Sequence, residues 1–104
     1  MVFPLFFLKN INDKIMSEVI ISKLSEKEIR EKNILTWPIW SKEKSRFEWY
    51  YESEEACLIL EGEISVETAN GTYHIQAGDF VLFKKGLRCV WNVIRPVRKH
   101  YQFS

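Results

Sequence analysis

WYYESEEACLILEG at residues 49–62 and GDFVLFKKGLRC at residues 78–89 are the two segments that decide the fold. The first contains a glutamate and a glycine with six residues between them, Glu55 and Gly62. The second contains two glycines, Gly78 and Gly86, with seven residues between them, and a cysteine, Cys89, separated from the second glycine by two residues. Each segment joins a short apolar run, typical of a strand, to glycine, which favours a turn. The two segments therefore predict β-strands bounded by turns in the middle of the chain.

The rest of the chain continues this pattern on both sides. Ser25 and Glu28 match a capping box, which predicts one short helix from Glu26 to about Lys32. Asn70-Gly71 between alternating runs predicts a type I′ hairpin turn, and Pro96 is expected to end a strand. Strands are predicted over residues 19–22, 47–51, 57–61, 63–68, 72–76, 80–83, 88–94 and 97–103. Many short strands and one helix predict an all-β sandwich or barrel.

Length and charge limit the function classes. At 104 residues and 12.4 kDa the chain is one domain, and its net charge of +1 gives no field that would attract nucleic acid. The two cysteines, Cys57 and Cys89, form no Cys-x2-Cys zinc motif. We interpret them as reduced, buried thiols of a cytoplasmic protein.

The N-terminus carries an apolar run from Val2 to Leu8 that is far shorter than a membrane span. No basic residue precedes the run and no small-residue cleavage site follows it, so a secretory signal and a membrane partner are not predicted. We interpret residues 1–16 as an extension that is either flexible or not native, with a strand packed on a partner subunit as the alternative. The domain itself is predicted over residues 17–104.

The two opening segments resemble the two conserved motifs of cupins. The spacing from Glu55 to Gly62 matches the end of the first motif, and Gly78 and Gly86 match the glycines of the second. The resemblance implies a double-stranded β-helix, or jelly-roll barrel, with one short N-terminal helix. Cys89 stands where the second motif has a histidine.

A closer resemblance is to the cupin-3 family, which includes the cupin domain of (S)-ureidoglycine aminohydrolase. This resemblance covers about residues 18–104. The complete set of shared strings is specific for one branch of the family, whereas each string alone is a weak signal. The shared strings are Trp37-Pro38-Ile39-Trp40, Trp49-Tyr50-Tyr51, Leu60-Glu61-Gly62, Lys85-Gly86-Leu87-Arg88-Cys89 and Pro96-Val97-Arg98-Lys99-His100-Tyr101. The resemblance also implies a homodimer, because cupins commonly dimerise. Trp37, Trp40 and Phe47 are expected either to cover the open face of the barrel or to form that interface.

The resemblance places the candidate site at the barrel mouth. It assigns Trp49, Tyr51, Glu55 and Cys89 to positions where metal-binding relatives have their ligands. Strand alternation then adds two neighbours on the same faces, Cys57 and Trp91. The expected pocket is lined by aromatic rings and thiols around one carboxylate.

The ligand set of metal-binding cupins, three histidines and one carboxylate, is mostly missing. Indole has only a donor N–H, so tryptophan cannot replace imidazole at such a site. Glu55 and Cys89, joined by Cys57 or His100, could hold a divalent ion in principle, but no cofactor is predicted. His74 is expected on a solvated hairpin, and the side of the sheet that His100 faces is left open.

Glu55 is the leading candidate for a catalytic group. Burial disfavours a charged carboxylate, and a carboxyl group in an aromatic pocket suits a general acid or base. The alternative is a structural carboxylate bonded to Tyr51 or paired with Arg88 or Lys99. Cys89 is the second catalytic candidate, as a nucleophile, if a nearby cation stabilises its thiolate.

Three functional hypotheses follow. The favoured one is a pocket for a small polar organic molecule that does not depend on a tightly bound metal. The second is a divalent-metal enzyme acting on a ureido or amino compound, by analogy with the aminohydrolase. The third is a structural or regulatory dimer whose barrel is filled by its own aromatic side chains.

Overall fold

The computed structural model describes residues 18–104, so the predicted extension, residues 1–16, lies outside the described residues. The expectation of an all-β fold with one short N-terminal helix is confirmed. The elements are β1 (Val19–Ser22), α1 (Glu26–Glu31), a 3₁₀ turn (Ile34–Thr36), β2 (Ile39–Lys42), β3 (Ser45–Tyr50), β4 (Glu55–Thr68), β5 (Gly71–Gln76), β6 (Phe80–Phe83) and β7 (Arg88–Phe103).

All seven strands belong to one antiparallel sheet, with the long strands β4 and β7 paired at its centre. The first half of β4 also pairs with β6, which pairs with β1 at the edge. The second half of β4 pairs with β5. On the other side, β3 pairs with the first half of β7 and β2 with its second half. Each long strand thus links two groups of short strands, as expected for a sheet that closes around an interior.

Strand β4 changes the face that it turns inward at its middle. Cys57 and Ile59 belong to the core in the first half, whereas Ile64 and Val66 do so in the second. The pairing with β7 shifts register three times between Ile59 and Ile64, which marks a β-bulge. Because side chains alternate with a period of two, the shift moves the inward positions from odd to even numbers.

Gly62 makes this bulge sterically possible. Its φ is +99°, a conformation that favours glycine, and a Cβ atom added there would lie 2.3 Å from the carbonyl oxygen of Pro96. The prediction that Pro96 ends a strand is wrong, because β7 continues through it beside the bulge. The prediction of two strands over 57–61 and 63–68 is also wrong, because both belong to the one strand β4, which bends at this bulge.

The hairpin between β4 and β5 is present, but the predicted type I′ turn at Asn70-Gly71 is wrong. Thr68 pairs with Gly71, so the two loop residues are Ala69 and Asn70. Among the described non-glycine residues only Asn33 has a positive φ, whereas type I′ needs one at Asn70. The Thr68 hydroxyl group accepts from the Asn70 N–H and donates to the Gly71 carbonyl group, which supplies an alternative local turn.

The predicted helix start is confirmed by both halves of a capping box. The Glu28 N–H donates to Ser25 Oγ at 3.1 Å, and the Ser25 N–H donates to Glu28 Oε1 at 2.9 Å. Helix α1 and the 3₁₀ turn cover a small apolar cluster centred on Ile34, Leu58 and Phe80. Within residues 18–104, no helix has both the length and the apolar character needed to cross a membrane.

The larger core fills the space between the inner faces of the strands. Its fully buried members include Tyr51, Ile59, Val81, Phe83 and Val93. Trp40, Phe47, Tyr73 and Tyr101 are partly buried and pack against it. The core therefore closes one part of the interior and leaves aromatic side chains around the remainder.

Candidate functional site

The partly open end of the interior is a cavity of about 240 Å³. Its walls come from β2, β3, β4 and β7, together with the residue that follows β3. The lining residues are Trp40, Phe47, Trp49, Tyr51, Glu55, Trp91, Lys99, Tyr101 and Phe103. Seven of these nine side chains are aromatic, so the cavity is an apolar space with one acidic and one basic group.

The aromatic walls are held by ring contacts that continue into the core. Tyr51 stacks on Phe83 with ring centroids 5.0 Å apart, and Phe47 stacks on Trp91 at 5.9 Å. Trp40 meets Trp91 edge-on at 5.8 Å. Such pairs stabilise by about 0.5–1.5 kcal/mol beyond the area that they bury. These contacts tie the inner walls of the cavity to the core.

Trp49 and Phe103 form the exposed rim of the cavity. Each is 47% exposed, in contrast to the buried Tyr51 behind them. The Trp49 ring packs edge-on against the Tyr51 ring, with the two centroids 6.4 Å apart. Large half-exposed aromatic side chains beside a cavity are a feature of binding surfaces, because they gain contact area when a ligand covers them.

Glu55 is the acidic group of the cavity and is only 2% exposed. The Tyr51 hydroxyl group donates to its Oε1 atom at 2.9 Å, and the Lys99 ammonium group donates to its Oε2 atom at 2.6 Å. Burial, reinforced by the neighbouring Glu55 carboxylate, raises the pKa of Tyr51 far above its usual value, so the phenol keeps its proton and remains a donor. The alternative that the sequence left open for Glu55, bonded to Tyr51 and paired with Lys99, describes this geometry.

Lys99 is the basic group and is 5% exposed. Besides its ion pair with Glu55, its Nζ atom lies over two indole rings, 4.6 Å from the centroid of Trp91 and 4.9 Å from that of Trp40. A carboxylate and two aromatic faces each attract the positive charge of the ammonium group. Lys99 is thus a stabilised cation inside an aromatic cage.

Trp91 contributes a buried polar atom with an unusual environment. Among the described residues, its Nε1 atom is the buried side-chain nitrogen or oxygen that lacks a hydrogen-bond partner. Less than 1 Å² of this atom is accessible, so a ligand in the cavity would meet the ring and not the N–H group. Trp91 therefore acts as a wall and as part of the cage.

The predicted pocket residues divide into two groups. Trp49, Tyr51, Glu55 and Trp91 line the cavity together, whereas Cys57 and Cys89 are not among its lining residues. Cys57 is fully buried in the core. Cys89 lies opposite Trp49 on β7, and its Sγ atom is 3.7 Å from the Trp49 carbonyl oxygen. The structure thus brings the aromatic and acidic candidates into one cavity and leaves both thiols outside its lining.

Neither thiol has the environment that a nucleophile needs. Burial raises the pKa of Cys57 to about 12 and that of Cys89 to about 11. The charged groups that act on Cys89, Glu18 and Glu55, are both acidic and add to this shift. The structure therefore gives the predicted nucleophile Cys89 no support.

The remaining charged candidates lie away from the cavity. His74 is exposed on the hairpin, as expected, and His100 Nδ1 is 2.9 Å from the Trp37 carbonyl oxygen on the other side of the sheet. Arg95 pairs with Glu63 and Arg98 with Glu61. Each of these guanidinium groups therefore has a carboxylate partner within the chain.

Sequence reasoning missed much of the lining. Trp40 and Phe47 were expected over the open face or at a dimer interface, and Tyr101 and Phe103 were not considered. Alternation along β7 would have found Tyr101 and Phe103. Both occupy odd positions, on the same face of the strand as Trp91 and Lys99. The predicted break at Pro96 hid this continuity.

The donor set of the cavity does not fit a metal ion. Glu55 is its one carboxylate, and the oxygen that faces the cage already accepts from Lys99. In residues 18–104, no three His, Cys, Asp or Glu side chains are clustered so that they could hold a metal. Indole rings and an ammonium group cannot replace the missing ligands.

The comparisons with known proteins agree with this architecture. The sequence model of the EutQ-like cupin domain matches residues 30–101. A solved DUF861 family protein from Thermotoga maritima is 50% identical and superposes with a TM-score of 0.81, over 84% of this chain and 100% of its own. A search of curated proteins gave no match.

A more distant solved structure shows the same fold. A putative ethanolamine utilization protein Q from Salmonella typhimurium superposes with a TM-score of 0.58 at 21% identity, over 82% of this chain and 68% of its own. At that identity the likeness extends to the fold alone. The expected cupin barrel is confirmed.

Proposed function

This chain belongs to the EutQ-like cupin domain family, and from that premise we propose that its barrel binds a small, flat, uncharged organic molecule without a metal ion. The observation that carries the proposal is the aromatic cavity with the buried Glu55–Lys99 pair in its wall. A buried ion pair is expensive to desolvate and often contributes little net stability. Its presence in an otherwise apolar cavity supports a role in recognition.

The volume of the cavity limits the size of the ligand. Ligand pockets commonly measure about 300–1,000 Å³, and this one, at about 240 Å³, lies below that range. At roughly 30 Å³ for each water-sized group, it holds about eight non-hydrogen atoms. A single small ring with one polar substituent matches this space and its aromatic lining.

The charges of the cavity favour a neutral ligand. Glu55 and Lys99 neutralise each other at 2.6 Å, so the site offers no net charge to a ligand. Placing an additional unpaired charge in this apolar space would cost several kcal/mol. A polar group that accepts from the ammonium group or donates to the carboxylate would be recognised without that cost.

The competing structural hypothesis also has an observation in its favour. Both oxygens of Glu55 already have partners within the chain, so the residue does not require a ligand. A filled barrel, however, would leave no cavity beside this pair. The binding hypothesis accounts for the open space and the exposed rim, whereas the structural one accounts only for the pair.

The test is a thermal-shift screen of uncharged single-ring fragments on three proteins. Trp49→Ala removes a rim residue, and Tyr50→Ala is the matched control, since Tyr50 is 44% exposed but does not line the cavity. A fragment at ten times its Kd should stabilise the wild type by about 1.4 kcal/mol and raise Tm by roughly 5–10 °C. The shift should persist in Tyr50→Ala and shrink in Trp49→Ala.

Two outcomes would contradict the proposal. One is a screen in which no uncharged fragment raises Tm of the wild type. The other is a set of binding fragments whose effect is the same in Trp49→Ala and in the wild type, which would place the binding site elsewhere.

A further inference from the structure

We infer that Glu55, Trp40 and Trp91 form a binding site for a primary ammonium ion, and that the Lys99 side chain occupies this site as a permanent, tethered ligand. The inference deepens the proposed function and rests on it only for the consequence that cationic ligands are excluded. The cation site itself is argued from the contacts of Lys99.

The surroundings of the Lys99 Nζ atom are those of an ammonium receptor. A carboxylate oxygen lies at 2.6 Å and two indole rings have their centroids at 4.6 and 4.9 Å. Aromatic rings around a carboxylate are a recurrent way to bind ammonium ligands, because each ring face attracts a cation. The three groups come from β2, β4 and β7, so the barrel and not a single strand builds the receptor.

The two other cation–aromatic contacts within residues 18–104 lack this construction. Lys42 lies over a single ring, that of Phe47, at 5.5 Å, and its side chain is exposed. Arg88 lies over Tyr50 at 4.6 Å, also on the surface. Only at Lys99, among these three cations, is the charge buried and matched by a buried carboxylate.

Two consequences follow for the intact protein. The site is filled, so free ammonium compounds and metal cations do not compete for Glu55. The remaining N–H donors of Lys99 make an acceptor oxygen on a neutral ligand the complementary partner. The cavity would therefore select for an acceptor and against a cation.

Removing the side chain should open the site to a free ion. Lys99→Ala deletes all side-chain atoms beyond Cβ, and n-propylammonium is the deleted fragment with its charge intact. Millimolar n-propylammonium should raise Tm of Lys99→Ala by several degrees, since it binds only the folded state. Propan-1-ol, with the same shape and no charge, should not.

Three controls define the site. Wild type should gain nothing from n-propylammonium because its site is occupied, and Lys42→Ala should gain nothing because its contact is not a receptor. In Glu55→Gln/Lys99→Ala, the difference between n-propylammonium and propan-1-ol should disappear. Equal effects of the two compounds on Lys99→Ala, or a comparable effect on Lys42→Ala, would overturn the inference.

The experiment still tests the ammonium site if Lys99→Ala does not fold in the absence of n-propylammonium. If Lys99→Ala is unfolded, n-propylammonium and not propan-1-ol should restore its β-sheet circular dichroism at low temperature. Lys99→Met fills the space without a charge, so n-propylammonium should not stabilise it; stabilisation would show that the ion binds elsewhere. Failure of the fragment screen leaves these results unchanged, and failure of the rescue leaves the fragment screen unchanged, so the two proposals fail separately.

Discussion

Strands β4 and β7 pair three acidic residues with three basic ones, and the pairs lie on opposite sides of the same ladder. Glu55–Lys99 is inside the barrel, with side chains 3% and 6% exposed. Glu61–Arg98 and Glu63–Arg95 are outside, with side chains between 36% and 67% exposed. Each pair joins a glutamate to a basic side chain, and the largest difference between the inner pair and the outer pairs is their burial.

Burial changes what each pair can do. The two outer pairs have N–O distances of 3.3 and 3.4 Å in contact with water, where an ion pair typically contributes about 0–1 kcal/mol. The inner pair, at 2.6 Å, lies where an unmatched charge is costly and electrostatic interactions are strong. Loss of an outer pair should therefore change the stability of the protein little. Loss of one member of the inner pair leaves an unmatched charge in the cavity and should destabilise the barrel.

Breaking the inner pair should have the largest effect. Glu55→Gln keeps the volume and leaves the Lys99 ammonium group buried without a counter-charge, which should lower the free energy of unfolding by about 3–5 kcal/mol. Glu61→Gln is the matched control on the outer face and should change it by less than about 1 kcal/mol. Urea unfolding at pH 7 measures both. Equal losses in the two variants would show that burial is not what separates the pairs.

The bulge at Gly62 places Glu61 and Glu63 on the outer face of the barrel while Glu55 stays on the inner face. Without the change of phase, Glu61 and Glu63 would share the inner face with Glu55, since all three are odd-numbered. Gly62→Ala forces a Cβ atom against the Pro96 carbonyl group and an unfavourable φ, so it should cost about 2–4 kcal/mol.

Gly71→Ala is the matched control for Gly62→Ala. Gly71 also has a positive φ, +140°, but no atom lies within 4 Å of an added Cβ. It should therefore cost only about 1 kcal/mol, from the backbone alone. The same urea titrations give both values. A Gly62→Ala protein as stable as Gly71→Ala would show that β4 can bend without the close approach to Pro96.

The features that the sequence predicted correctly are local ones. The capping box at Ser25 and Glu28, and the strand at 80–83, depend on neighbours in the chain. The resemblance placed Trp49, Tyr51 and Glu55 at the barrel mouth, strand alternation added Trp91, and these four residues line one cavity.

What the sequence could not give is the set of long-range contacts. The phase change of β4 depends on a contact between Gly62 and Pro96, 34 residues apart, and alternation alone cannot locate it. The sequence left Lys99 as one of two basic residues, with Arg88, that could pair with Glu55. Its inward direction is fixed by the pairing of Ile59 with Lys99, a register that only the folded sheet defines.

Cys57 provides the smallest test, because its thiol is fully buried in the core beside the inner pair. The pKa of Cys57 is raised to about 12, chiefly by burial, and the two members of the inner pair act on it in opposite directions: Lys99 lowers the pKa and Glu55 raises it. An unfolded thiol ionises near pH 9, so the unfolded chain releases a proton that the folded chain keeps. The stability that the buried thiol contributes is complete below pH 9 and is lost as the pH rises toward 12.

At pH 10 the loss from Cys57 should be about 1 kcal/mol relative to pH 8. Cys57→Ala should lose correspondingly less of its own stability over the same interval, although its stability at pH 8 is lower because of the cavity that it creates. Urea unfolding at pH 8, 9 and 10 measures the two slopes. Parallel slopes for Cys57→Ala and the wild type would mean that water reaches this thiol. The inner pair would then be solvated as well, and the contrast between the inner and outer faces of the ladder would be one of position and not of environment.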